Sequence, residues 1–154
     1  MKVCEPTLGY LGKVRDRNMS GFREFDNFLK QECGDDFWAD DAVLRANALA
    51  SLMSGEDWVT LRTVWQQRSS KWQLRCADVL SGVAPIYAVP ILAEMAEKGE
   101  RVVAIGAAES LESMVRGDVA IPETVMKRLE KLCDQCSEFD RKTIKSLMAA
   151  LQRG

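Results

Sequence analysis

Chemistry in this chain has to come from few residue types, because its 154 residues include no histidine. That removes the Ser–His and Cys–His nucleophile pairs, the usual imidazole general base and most zinc and iron ligand sets. What remains first is Cys133-x-x-Cys136, a spacing found in redox sites and in half of a zinc site. No second pair completes it, Cys4, Cys33 and Cys76 lie far away in sequence, and Cys133 falls on an apolar helix face. The spacing alone therefore reads as one buried and one incidental thiol. Glu94 and Glu97, and Glu109 and Glu112, form carboxylate pairs three residues apart. Without an imidazole or a glycine-rich phosphate loop they read as solvated helix faces. No catalytic residue, metal ligand or cofactor is assigned, and the chain is read as a non-enzyme.

Two other constellations could act by binding. Trp58, Trp65 and Trp72 are spaced by seven and interleaved with Arg62, Arg68, Lys71 and Arg75, with no acid between Trp58 and Ala77. A nucleic-acid binder would set such cations on phosphates and stack a base on an aromatic ring. The competing reading buries Trp58 and Trp65 between helices, leaves the cations in water and places Trp72 on a separate helix. Between Glu32 and Asp57 the acids are Glu32, Asp35, Asp36, Asp40, Asp41, Glu56 and Asp57, against the single cation Arg45, a local charge of −6. Some of these cap helices. The surplus creates a field that attracts a cationic partner, for which Trp38 and Trp58 would be aromatic anchors.

The elements that must position these residues are helical. Alternating strand patterns are almost absent, and proline and glycine fall between amphipathic segments. Residues 1–19 read as an irregular arm. Ser20 opens a helix over 20–33 with Phe22, Phe25, Phe28 and Leu29 on one face, and Gly34 stops it. Further helices are expected at 41–53, 57–68, 71–82, 86–98, 100–116, 121–135 and 138–152, eight in all. Ser69 or Ser70 and Ser137 are expected N-caps, and Pro90 is expected near the start of its helix, where a missing N–H costs little. The whole of 20–154 is read as a single domain with capping helices at 20–33 and 138–152.

One spacing links these helices. Val43, Ala46, Leu49 and Leu52 recur 31 positions later as Leu74, Ala77, Leu80 and Val83, and again as Ile105, Ala108, Leu111 and Met114. A period near 30 marks a stacked helical repeat, with pairs expected at 41–53 with 57–68, 71–82 with 86–98, and 100–116 with 121–135. Within the second unit, Cys76-Ala77, Leu80 and Ala88-Val89-Pro90-Ile91-Leu92 resemble a HEAT-like repeat. The resemblance is to the short variety first associated with phycobilisome lyases, and it covers roughly residues 41–135. The third unit matches through Val103, Ala107, Ala108, Leu111 and Pro122. The first matches only through Ala46 and Leu49, lacks the proline and has Arg45 where a small residue belongs.

The resemblance implies an all-α, right-handed solenoid of antiparallel hairpins that binds another protein. Its inner wall would offer Thr60, Gln67, Tyr87, Ile91, Glu94, Lys98, Glu123 and Glu130, and its rim Asp35, Asp36, Trp38, Asp40, Asp41, Glu56 and Asp57. Net charge −2 and pI about 5.3 argue against a whole-domain nucleic-acid binder. No apolar run is long enough to span a membrane. The start lacks the apolar core of a secretory leader, and five irregularly spaced cysteines fit reduced thiols. The expectation is a cytoplasmic protein-binding module, in concrete form a bacterial immunity protein that covers the basic surface of a nuclease-type toxin. A scaffold, a chromophore lyase using Cys76 or Tyr87, and a nucleic-acid binder through residues 58–75 are the alternatives.

Overall fold

Helix boundaries in this chain are set by a few serines, prolines and glycines. The computed structural model describes residues 21–32, 34, 37–114 and 120–153, with backbone only for Ala39, Asp40 and Arg153. Among them are eight α-helices and no strand. These are α1 (Gly21–Leu29), α2 (Val43–Ala50), α3 (Gly55–Val64), α4 (Ser70–Leu80), α5 (Pro85–Lys98), α6 (Arg101–Met114), α7 (Glu123–Gln135) and α8 (Glu138–Arg153). A π-helical segment, Trp38–Ala42, runs into α2, and a 3₁₀ turn, Trp65–Gln67, closes α3. The arm at 1–19, the Ser20 cap, Cys4 and Cys33 lie outside the described residues.

Several caps follow the expected chemistry. The Ser69 hydroxyl accepts from the Trp72 N–H at the start of α4, and Ser137 does the same for Asp140 at the start of α8. Ser54 and Asp57 form a reciprocal capping box on α3, each side chain accepting from the other's backbone N–H. Gly34 is not the stop for α1, which ends five residues earlier at Leu29. Pro90 also lies deeper than expected. Pro85 occupies the first turn of α5, with Ala84 extended before it at ψ 133°, and Pro90 sits in the helix interior. There it removes the N–H that would bond the Ile86 carbonyl, on a face that is open to water.

The chain divides into two compact units, residues 1–79 and 80–154. In the first, α1 packs against both α2 and α3. Its face of Phe22, Phe25, Phe28 and Leu29 is buried, as the spacing predicts. The approach is close at Gly21, where an added Cβ would lie 3.0 Å from the Asp57 carboxylate and 3.3 Å from the Leu52 carbonyl oxygen.

In the second unit α5 packs extensively on α6, α7 on α8, α5 on α7 and α6 on α8. The 100–116 helix was expected to pair with 121–135, whereas its packing within this unit is on α5 and α8. Link length explains the observed choice. Only Gly99 and Glu100 separate α5 from α6, which forces an antiparallel neighbour, whereas eight residues separate α6 from α7. Both helices bury small side chains, Ala88, Ala93 and Ala96 on α5 and Ala104, Ala107 and Ala108 on α6. Helix α8 is more than a cap: it packs on two helices and buries Ile144, Leu147 and Leu151.

The α5–α6 corner depends on Gly99. A Cβ there would sit 2.6 Å from the Met95 carbonyl oxygen and 2.9 Å from Val103 Cγ1. Gly99→Ala should therefore destabilise the protein by about 1–3 kcal/mol in urea unfolding. Gly55→Ala, where a Cβ meets nothing within 4 Å, should be neutral or stabilising by up to about 1 kcal/mol.

Candidate functional site

In the first unit, charge has been drawn inside. Asp26 follows Phe22 by four residues and precedes Leu29 by three, so it lies on the buried side of α1 and is 6% exposed. Arg68 meets it with two parallel hydrogen bonds, Nε to Oδ1 at 2.9 Å and Nη2 to Oδ2 at 2.8 Å, and Lys30 adds an ion pair at 3.3 Å. Burial pushes the Asp26 carboxyl upward, but the Arg68 hydrogen bonds and charge, together with Lys30, outweigh it and hold the group below the ordinary aspartate range. The hydrogen bonds to Asp26 in turn raise the Arg68 guanidinium, against a smaller opposing effect of burial.

Arg75 is internal as well, at 5% exposed. It follows Trp72 by three residues and precedes Val79 by four, and so lies on the buried stripe of α4. Its Nη1 donates to the Leu29 and Gln31 carbonyls at 3.0 and 2.8 Å, past the end of α1. Its guanidinium also stacks 5.0 Å from the centroid of Trp38, whose indole N–H donates to Asp78. Gln73, also buried, donates to the Trp65 and Arg68 carbonyls and ties off the 3₁₀ turn.

These contacts use up much of the aromatic and basic stretch. Trp58, Trp65 and Trp72 are all buried, which is the packing reading of their spacing. Arg68 and Arg75 are spent on Asp26 and on α1, leaving Arg62 and Lys71 as the exposed cations of the four. Cys76 is fully buried, and desolvation, with the nearby Asp26 charge, pushes its thiol far above the ordinary cysteine range. It is not presented to a chromophore or to solvent.

The expected interface residues divide accordingly. Asp35 and Asp36 lie outside the described residues, and the Asp40 side chain is not described. Trp38 and Asp57 are buried at 8% each, the one against Arg75 and the other in the capping box, and are corrected from surface groups to structural ones. Ile91 is likewise corrected. It is in phase with Ala88, Leu92 and Met95 and is 2% exposed, so it faces inward rather than outward. Asp41, Glu56, Thr60 and Gln67 are exposed in the first unit, Asp41 with an ion pair to Arg45 at 4.0 Å.

In the second unit Tyr87, Lys98, Glu123 and Glu130 are exposed and Glu94 is half-buried. They stand on α5 and α7, which pack side by side. There the Thr124 hydroxyl donates to the Glu97 carboxylate, and Arg128 donates to the Glu97 carbonyl and, at 2.8 Å, to the Gly99 carbonyl. Arg128 thus caps the C-terminus of α5, where the helix dipole favours a cation. The Lys98–Glu94 and Lys127–Glu123 pairs are surface i,i+4 contacts, worth tenths of a kcal/mol by order of magnitude. Burial, and then the charge of Glu112, raise the Glu109 carboxyl above the ordinary glutamate range. Among the described residues no three Cys, Asp or Glu side chains converge in a metal-binding group.

The structure adds residues that the spacing missed. Leu44 is 64% exposed, Leu52 57% and Val59 67%. They lie on α2, on the turn that follows it and on α3, among the exposed polar groups Asp41, Ser51, Glu56, Thr60 and Thr63. Leu52 belonged to the first quartet and was expected inside. The signal that could have found Leu44 is its phase, because it falls outside the Ala42, Ala46, Ala50 stripe that α1 covers. No protein-family model matches the chain, and no characterised protein or solved structure is significantly similar to it.

The Asp26–Arg68 pair makes a direct test of this interior. Asp26→Ala should cost on the order of 3 kcal/mol at neutral pH, because it strands a guanidinium, and Asp26→Ala with Arg68→Met should recover part of the loss. The folded carboxyl ionises below the ~3.9 of an unfolded aspartate. Its contribution is therefore complete above that value and is lost as the pH falls through the lower folded value. Urea midpoints measured from neutral pH downward should show the wild-type advantage over Asp26→Asn shrinking only in that acid range.

Proposed function

We propose that this chain is a non-catalytic protein-binding module, and that its contact surface is the outward side of α2 and α3. The observation that carries the reading is the exposure of Leu44, Leu52 and Val59 beside the acids Asp41 and Glu56. Large aliphatic groups held in water on ordered helices and rimmed by charge are the usual composition of an interface patch. The net charge of −6 between Glu32 and Asp57 selects a partner with a basic surface. A bacterial immunity protein that covers a basic nuclease-type toxin is the concrete form. A HEAT-like repeat architecture is supported by the 31-residue period and by the stacking of helices two apart in the second unit.

The test is a titration of the chain against a purified nuclease-type toxin domain with a basic surface. Leu44→Asp combined with Val59→Asp should weaken binding at least tenfold, about 1.4 kcal/mol, with helical circular dichroism unchanged. Asp41→Lys combined with Glu56→Lys should slow association and flatten its salt dependence. Equal affinity for all three proteins would move the interface elsewhere.

A further inference from the structure

The proposed surface leaves unused the C-x-x-C pair, which the structure places at the corner between α7 and α8. Cys133 is in the last turn of α7 and 7% exposed. Cys136 is the residue that ends the helix, with φ −109° and ψ 175°, and is half-buried. Both thiols are turned toward this corner. Cys136 Sγ lies 3.5 Å from the Cys133 carbonyl oxygen, and Cys133 Sγ lies 4.0 Å from the Arg141 carbonyl oxygen. The Cys133 carbonyl also accepts from Arg141 Nε at 3.1 Å.

We propose that Cys133 and Cys136 form a site of reversible thiol oxidation, in which Cys136 meets a small-molecule disulfide such as oxidised glutathione and Cys133 resolves the adduct into an intramolecular disulfide. Access assigns the order. Cys136 is the most exposed of the three described cysteines, and Cys76 and Cys133 are buried. Proximity assigns the resolving group. Residues three apart on a helix have Cβ atoms about 5–6 Å apart, and a disulfide needs about 3.5–4.5 Å. The remaining closure falls on Cys136, whose extended ψ already departs from the helix and whose side chain already folds back over the last turn. Losing its S–H contact leaves the Cys133 carbonyl still bonded to Arg141.

The step balances. The Cys136 sulfur attacks one sulfur of oxidised glutathione, whose S–S bond breaks, and one glutathione leaves carrying the proton that Cys136 gives up. The Cys133 sulfur then attacks Cys136 Sγ, the mixed disulfide breaks, and the second glutathione leaves with the Cys133 proton. Two cysteine thiols are oxidised by two electrons, and one oxidised glutathione is reduced to two glutathiones.

The native full chain is incubated with oxidised glutathione, quenched with iodoacetamide in denaturant, digested with trypsin and weighed. Cleavage after Lys131 and Arg141 releases residues 132–141, which hold both cysteines and no other. The wild-type peptide should be unalkylated and lighter by two hydrogens, and dithiothreitol before the quench should restore double alkylation. Cys133→Ala should instead accumulate glutathione on Cys136, and Cys136→Ser should leave Cys133 without an adduct. A wild-type peptide that keeps a stable glutathione adduct, or that is doubly alkylated after oxidation, overturns the proposal without recourse to either variant. Modification of Cys133 in Cys136→Ser at the wild-type rate overturns the assigned order.

Discussion

A guanidinium cannot be buried without acceptors for its N–H groups, and the first unit depends on how this is met at Arg75. The C-terminus of α1 supplies carbonyls that no helical N–H can reach, and Arg75 reaches the Leu29 and Gln31 carbonyls there. The same cation lies on the Trp38 ring, so one side chain joins α4, the end of α1 and the π-helical entry to α2. Arg68 repeats the arrangement one level down, clamping Asp26 from the segment before α4. Removing Arg68 or Arg75 would leave a desolvated carboxylate or carbonyl behind.

This constraint bears directly on function. Two of the four cations that would have made a phosphate-binding stripe, Arg68 and Arg75, are spent on holding helices together, and Trp58, Trp65 and Trp72, which would have offered stacking faces, are core residues. The protein-binding surface proposed for the first unit would rest on what those contacts do not use. That is the outward side of α2 and α3, where aliphatic side chains and acids share the surface. The acids at Asp41 and Glu56 belong to it; Asp57, equally acidic in sequence, is withdrawn into a helix cap.

The repeat spacing shows how far periodicity carries. Residues three apart slip by about 60° per step on a 3.6-residue helix, so the ends of a quartet spaced by three point in opposite directions. Ala46, Ala77 and Ala108 are accordingly buried in all three copies, Val43, Leu74 and Ile105 are half-buried, and Leu52 faces water. The buried stripe of α2 steps mainly by four, through Ala42, Ala46 and Ala50. Ile91 faces inward because it is in phase with Ala88, Leu92 and Met95, all of them buried. Asp26 and Arg75 were legible in principle, each being a lone charge in phase with an apolar stripe, but nothing in either segment says which partner neutralises it.

By itself the sequence determined the helices and the serine caps at Ser69 and Ser137, because these rest on contacts within a few positions along the chain. Apolar phase, a serine ahead of a helix and a two-residue link act locally. Only the tertiary structure decided which charges turn inward and which aliphatic residues stay in water. Those outcomes depend on groups more than 40 positions apart, as in Arg68 with Asp26 and Arg75 with Leu29, and a carbonyl left over at the end of one helix has no local signature of the cation that will reach it.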